Sequence, residues 1–280
     1  MDNGNVRLFL NDLLHWSEED CRKAKVKFNQ YNNKDNPLDI YLSAPDQVNT
    51  DWLFWRTKRR YFFAGQIAVC LVRLSYDTWL LTTIKEVVKE LGVLHGVNYE
   101  GREIEKFRPL YGRVVIKYHK TSQQQGRAYE SIKDELEVLQ LLPSVYDGED
   151  FPGYDKVRLS FAQLANIVSR RKKDWISALE NQKAVYLITD RHSGKLYVGS
   201  ATAEKGMLLQ RWSAYVSTGH GENVELKKLV EREGFDYVKK NFQYSILENY
   251  NAKIVDQVVL ARESWWKETL DSRVHGYNEN

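Results

Sequence analysis

The sequence predicts an α+β protein in two domains. Three observations predict it. The chain has 280 residues, which at roughly 150 residues per domain gives two. Aromatic and β-branched runs at 61–83 and 184–199 read as strands, whereas 161–168 and 255–270 carry apolar residues at helical spacing. Between these regions, Asp147–Asp155 gathers Gly148, Pro152 and Gly153 among acidic side chains, which bends the chain. The division expected is 1–165 as a strand-rich mixed domain, 166–182 as a connecting helix and linker, and 183–280 as the second domain.

The elements follow in order. Leu8, Leu10, Leu13, Leu14 and Trp16 form an amphipathic stretch, and Ser17 before Glu18, Glu19 and Asp20 has the form of an N-cap with an acidic first turn. A short helix, a turn and a second helix to about Tyr31 are predicted. Residues 32–45 are rich in Asn, Asp and Pro and read as a loop with a short strand at Ile40–Leu42. A hairpin or meander spans 61–83, broken at Gly65 and Asp77, and Lys85–Leu91 suits a helical turn. Arg113–His119 and Leu136–Leu142 read as strands, with Thr121–Gly126 a surface loop. Phe161, Leu164, Ile167 and Val168 define a helix ending at Arg170, Arg171, Lys172 and Lys173, where cations complement the dipole.

Composition excludes several function classes. Hydrophobic residues are 42% and charged residues 28%, as in globular domains, and no run approaches the ~18 apolar residues of a membrane span. Met1–Asn11 lacks the basic and apolar regions of a secretory signal. Cys21 and Cys70 are too few for a disulfide scaffold or a four-cysteine zinc site, which predicts a reducing, cytoplasmic setting. Forty-one Lys and Arg against 38 Asp and Glu give +3, short of a basic nucleic-acid coat.

Chemistry concentrates in the last hundred residues. Ala184–Thr189 and Leu196–Gly199, joined through His192-Ser193-Gly194, form a β-hairpin in which Tyr186 and Tyr197 can share one face, with Gly199 letting the backbone turn sharply. A helix over Leu208–Tyr215 makes Arg211 and Tyr215 neighbours at i,i+4. In Val255–Leu270, Val255, Val259, Trp266 and Leu270 cluster on the wheel and Glu263 falls at the edge of that arc. Arg262 and Lys267 point elsewhere, so a carboxylate there calls for a cation.

These residues resemble the GIY-YIG nucleases: Ala184-Val185-Tyr186, Tyr197-Val198-Gly199, Arg211 with Trp212, Glu263 with Trp266, then Gly276-Tyr277-Asn278. The likeness spans 183–278 and is greatest to the catalytic domain of phage homing endonucleases, adding Ser200-Ala201 and Ser245-Ile246-Leu247-Glu248. It implies a small three-stranded antiparallel sheet flanked by helices, hydrolysing DNA phosphodiesters with one Mg²⁺ or Mn²⁺. Glu263 would hold the metal, Arg211 the scissile phosphate, and Tyr186 would be the general base, its phenol needing help from the cation and Arg211 to ionise near neutrality. Tyr197 would position the attacking water. Tyr215 falls where relatives carry Tyr or His, His220 is a rival base, and Asn278 would anchor a phosphate or brace the site. Two departures stand out: Ala184 replaces the first glycine, and Ser200 stands where some repair nucleases place lysine.

In the first domain, Trp52, Trp55, Arg56, Lys58, Arg59 and Arg60 interleave rings and cations, a pattern that can stack a base and hold phosphates. A solvated turn at the core's edge is the plainer reading. The basic cluster 170–173 divides evenly between a DNA clamp and a solvated helix end. Homing enzymes place the nuclease before the DNA reader. The reversed order here points to a restriction-type enzyme, reading modified DNA through 1–165, with a transient homodimer for double-strand cleavage. A repair or recombination nuclease and a non-catalytic DNA-binding module are the alternatives.

Overall fold

The computed structural model describes residues 7–121, 123–203 and 205–279, so Met1–Val6, within the segment read for a signal, lie outside the described residues. The chain is mixed α and β with several sheets, in two compact units, Met1–Asp147 and Gly148–Asn280. The break falls in the predicted bend, but 18 residues before the predicted boundary at 165/166.

The first unit begins with α1 (Leu10–Leu14) and α2 (Glu18–Lys23). Ser17 caps α2: its Oγ accepts the Asp20 N–H at 3.2 Å and the Asp20 carboxylate accepts the Ser17 N–H at 3.1 Å. The predicted continuation of this helix to Tyr31 does not form. From residue 24 the period changes to two, with Val26 and Phe28 buried in one core and Lys25 and Lys27 on the opposite side, so the segment is β1 (Ala24–Asn29). The strand predicted at Ile40–Leu42 is instead inside α3 (Pro37–Ser43), because the Asn36 side chain accepts the Leu38 N–H at 3.2 Å and Pro37 starts the first turn.

A two-residue ladder pairs β2 (Trp55–Arg56) with β5 (Gly96–Val97). The predicted hairpin forms as β3 (Ile67–Ser75) and β4 (Thr78–Glu90). β4 runs straight through the helical turn predicted at Lys85, since the ladder to β6 (Tyr99–Glu103) pairs that stretch. With β7 (Val114–Lys117), β8 (Gly126–Ala128) and β9 (Glu137–Leu141), the order is β8-β1-β3-β4-β7-β9, with β6 paired to β4. Only β1 and β3 run parallel among the described pairs. Alternation along β3 sends Val69 and Leu71 into one core and Ala68, Cys70 and Val72 into another.

The second unit contains β10 (Arg158–Ser160), α4 (Phe161–Arg170), α5 (Lys173–Glu180), β11 (Gln182–Asp190), β12 (Leu196–Ala201), α6 (Met207–Thr218), α7 (Val224–Glu233), α8 (Phe235–Asn241), β13 (Phe242–Asn251), α9 (Asp256–Thr269) and α10 (Ser272–His275). Its sheet is antiparallel, in the order β10-β13-β11-β12, one strand more than expected. The predicted linker 166–182 is part of this fold. Ile167, Trp175 and Leu179 from α4 and α5 are buried with Tyr186, Leu208 and Trp212, and stripping away that stripe would expose the core. On the sheet's other face, Val185 and Val198 pack against Val259 of α9.

Candidate active site

The hairpin places its two tyrosines as the period of two requires. Tyr186 pairs across the ladder with Gly199, and Ile188 with Tyr197, so both phenols stand on the α6 face with ring centroids 6.4 Å apart. Gly199 makes no turn: it lies inside β12, without positive φ. A Cβ there would sit 2.4 Å from the Tyr186 hydroxyl oxygen, so the glycine is needed for close approach. Ala184 faces Ala201, both buried, and the missing signature glycine costs no visible contact.

Tyr186 is fully buried, and its hydroxyl oxygen accepts Nε–H of Arg211 at 3.0 Å and shares a hydrogen bond with the Tyr215 hydroxyl at 2.9 Å. Burial, with the Tyr197 phenol beside it, drives the Tyr186 pKa upward. Arg211 and the Tyr215 hydrogen bond pull the other way without prevailing. Burial likewise pushes Tyr215 well up. Burial opposes the charge on Arg211, but the phenol oxygens around it keep the guanidinium protonated. Tyr244 and Trp212 complete the aromatic cluster, their hydroxyl and indole N–H without hydrogen-bond partners among the described residues.

Glu263 reaches the site from α9. Its Oε2 accepts the Ser200 hydroxyl at 2.5 Å and its Oε1 pairs with Lys267 Nζ at 2.6 Å, with only 13% of the Glu263 side chain exposed. Lys267, expected to point away, is the i,i+4 neighbour that meets it. Arg262 does turn away, to Glu248. Ser200 and Arg211 line one pocket of about 410 Å³ with Thr202, Met207 and Gln210. Arg211, bonded to Tyr186, and Ser200, bonded to Glu263, thus open onto a shared cavity.

The remaining site residues are placed differently. His220 follows α6 in the turn whose Gly221 packs against the Tyr215 ring. Its Nδ1 accepts the Glu222 N–H at 3.1 Å, so the ring proton of the neutral imidazole sits on Nε2. Asn278 is buried and braces the edge of β12: its Oδ1 accepts the Val198 N–H at 2.9 Å and the Ser272 hydroxyl at 2.7 Å, and its Nδ2 donates to the Val198 carbonyl at 2.8 Å. With these groups occupied, Asn278 is a brace rather than a phosphate anchor.

Two carboxylates that the sequence did not single out hold the unit together. Asp190, fully buried in the hairpin turn, accepts hydrogen bonds from Ser193, Tyr237 and Tyr277 hydroxyls at 2.6, 2.8 and 2.7 Å. Burial acts to raise its pKa, but these donors outweigh it and hold it low. Glu248 accepts Arg262 Nε–H at 2.9 Å and Trp266 Nε1–H at 2.9 Å, together with the Tyr250 hydroxyl. Asp190 sits in an Asp-x-x-Ser-Gly turn, a visible local signal; its tyrosine partners come from distant elements.

The basic clusters are only partly free. At the α4–α5 turn Lys172 is buried on Asp150 at 3.0 Å, while Arg170, Arg171 and Lys173 are exposed. In the first unit Trp52 is half-buried, Trp55 and Lys58 are exposed, Arg56 has a buried Nε without a partner among the described residues, and Arg60 pairs with Glu90. Arg59 is exposed. Among the described residues no helix is long and apolar enough to cross a membrane.

No protein-family model matches the chain, and no curated protein does. Two solved structures are similar to it. One is the catalytic domain of homing endonuclease I-TevI, 25% identical, covering 35% of this chain and 98% of that one, with TM-score 0.28. The other is a mutant form of the catalytic domain of intron endonuclease I-TevI, 24% identical, covering 35% of this chain and 94% of that one, also with TM-score 0.28.

Proposed function

We propose that the second unit is a metal-dependent DNA endonuclease site of the GIY-YIG kind, hydrolysing phosphodiester bonds. The reading rests on one convergence: Arg211, fixed by a phenol, and Ser200, which holds the near-buried Glu263 carboxylate, line the same pocket. Arg211 offers the scissile phosphate its remaining N–H groups and stabilises charge that grows in the pentavalent transition state. Water adds to phosphorus as the bond to the leaving sugar oxygen breaks, and the water's proton passes to that oxygen. Tyr186, with its proton held by burial, orients Arg211 instead of waiting as a phenolate. Tyr197, whose hydroxyl makes no hydrogen bond among the described residues, would position the attacking water.

A hard divalent cation fits this donor set in its water-rich mode. Mg²⁺ commonly takes one or two carboxylates plus substrate phosphate, and each oxygen of Glu263 keeps a lone pair beyond its bond to Lys267 or Ser200. Among the described residues no cluster of three or more His, Cys, Asp or Glu offers a competing cage. Mg²⁺ or Mn²⁺ bound at Glu263 would supply Lewis-acid stabilisation of the phosphate.

The biological role we propose is restriction-type, in a cytoplasmic enzyme whose first unit reads modified DNA and which dimerises transiently for double-strand cleavage. Incubation with Mg²⁺ and plain, methylated, hydroxymethylated and glucosylated DNA tests activity and role together. Cleavage by the wild type that disappears in Glu263→Ala, with DNA binding kept, is the result expected. Binding without cleavage of any substrate favours the non-catalytic module, and equal cleavage of every substrate favours a repair or recombination nuclease.

A further inference from the structure

The first unit has a second cavity, of about 280 Å³, between β1, β8 and the segment 59–62. Five of its lining residues are cations, Lys25, Lys27, Arg59, Arg60 and Arg127, and none is acidic. Arg60 is engaged by Glu90 outside the cavity. No carboxylate pairs with the other four among the described residues.

Lys27 is the telling member. Its residue is 2% exposed, yet its ammonium has one hydrogen bond, to the Trp55 carbonyl at 2.9 Å, beside the Tyr61 ring at 5.5 Å. An ammonium has three donors, and a buried charge without a counter-ion is costly. Burial accordingly lowers the Lys27 pKa to about 8. Lys25 lies two residues along the same face, donating to the Tyr61 carbonyl at 2.7 Å, and burial together with Arg59 repels its charge. Sequence spacing explains the convergence: Lys25 and Lys27 alternate with the core residues Val26 and Phe28, and Arg59 comes from the segment just before Tyr61. Gly126, opposite Lys27 on the neighbouring strand, leaves room for the Tyr61 ring, 3.1 Å from where a Cβ would be, whereas Arg127, opposite Val26, points to the other face of the sheet. Mutual repulsion of this kind is relieved by an anion. The volume is near the lower end of ligand pockets, about 300–1,000 Å³, and the Tyr61 and Phe62 side offers an apolar wall for a ring attached to that anion.

We propose that this cavity is a phosphate-binding site that holds one nucleotide of a nucleic-acid strand, with Lys27, Lys25 and Arg59 on the phosphate and Tyr61 beside the attached sugar or base. The phosphate chemistry stands on the cavity alone. Its assignment to a nucleic acid rests on the nuclease reading of the other unit.

Isothermal titration of the full chain in EDTA, where cleavage is suppressed, tests it with two probes: deoxycytidine monophosphate and a short single-stranded oligonucleotide. Wild type, Lys27→Met and Arg59→Ala are compared. Both probes are expected to bind the wild type, and at least tenfold more weakly to Lys27→Met and Arg59→Ala, with melting temperatures kept or raised. Affinities within twofold of wild type in both first-unit variants overturn the site, and so does failure of either probe to bind the wild type. Should Lys27→Met not fold, the exposed Arg59→Ala decides. Lys27-dependent binding by a protein that cuts no DNA ends the nuclease reading alone, while an active nuclease whose binding ignores Lys27 and Arg59 ends this site alone.

Discussion

Gly199 lies directly across the ladder from Tyr186, and a Cβ at residue 199 would fall 2.4 Å from the Tyr186 hydroxyl oxygen and 2.5 Å from the ring carbon bearing it. No rotation of a buried ring relieves both contacts. Gly199→Ala is therefore expected to destabilise the second unit by about 1–3 kcal/mol, the usual cost of overpacking a core, and to displace the hydroxyl from Arg211. Urea denaturation measures the first effect. In a double-mutant cycle with Tyr186→Ala the two costs should fall short of additivity, because removing the ring removes the clash. Strict additivity would show that Gly199 matters for some other reason.

Arg211 is held at its Nε, which leaves the far edge of the guanidinium for a ligand. Lysine has a point charge and no such fork. Arg211→Lys should lower cleavage a hundredfold or more at unchanged folding, and Tyr186→Phe should lower it less, by releasing the guanidinium without removing it. A pH–rate comparison separates orientation from base catalysis. An orienting phenol changes the rate evenly across pH, whereas a titrating base leaves its own ionisation out of the variant's profile.

Glu263 is shared between Ser200 and Lys267, so a divalent cation at the proposed site would compete with the ammonium for one carboxylate. Lys267→Met should reduce the Mg²⁺ concentration for half-maximal cleavage several-fold, and Glu263→Gln should abolish cleavage. Unchanged Mg²⁺ dependence in Lys267→Met would place the metal elsewhere.

What the sequence made legible was local. Tyr186 and Tyr197 fall on one face because a strand period of two fixes it, Ser17 announces α2 through its cap, and the helical spacing of Phe161, Leu164 and Ile167 announces α4. What it hid was set by long-range pairing or by a competing local signal. Ala24–Asn29 follows a helix without a break, and its ladders with β3 and β8 make it a strand. Ile40–Leu42 has β-type side chains overruled by the Asn36-Pro37 start. Lys267 was misplaced because the wheel was read for apolar residues, which leaves an i,i+4 ion pair at the arc's edge unseen. Lys27 was passed over because its burial comes from Trp55 and Tyr61, about thirty residues away.

Glu248 ties β13 to α9, and the hydrogen bonds from Arg262, ahead of those from Tyr250 and Trp266, hold its pKa down to about 2 against the opposing effect of burial. A carboxylate depressed on folding contributes stability that is present above its ordinary pKa, near 4.5, and lost as pH falls toward 2. Wild type should lose stability relative to Glu248→Gln across that window, with the two curves parallel above it. Thermal melts between pH 2 and 6 measure the difference. A constant gap throughout would mean that Glu248 acts by packing alone.

Lys27 carries the opposite sign. Its pKa falls from 10.5 to about 8 on folding, so below pH 8 the folded protein bears the full cost of a buried charge, and between pH 8 and 10.5 that cost fades as the lysine deprotonates in the folded and then the unfolded chain. Lys27→Met keeps the length of the side chain and removes the charge, and replacing an unpaired buried ion with an apolar group is commonly stabilising by roughly 1–4 kcal/mol. The variant should therefore be more stable than wild type at pH 7, with the advantage shrinking toward pH 10.5, as measured by urea denaturation at both values. A variant less stable at pH 7 would show that the hydrogen bond from Lys27 to the Trp55 carbonyl outweighs the desolvation. The lysine would then be a structural tether for the segment 55–61.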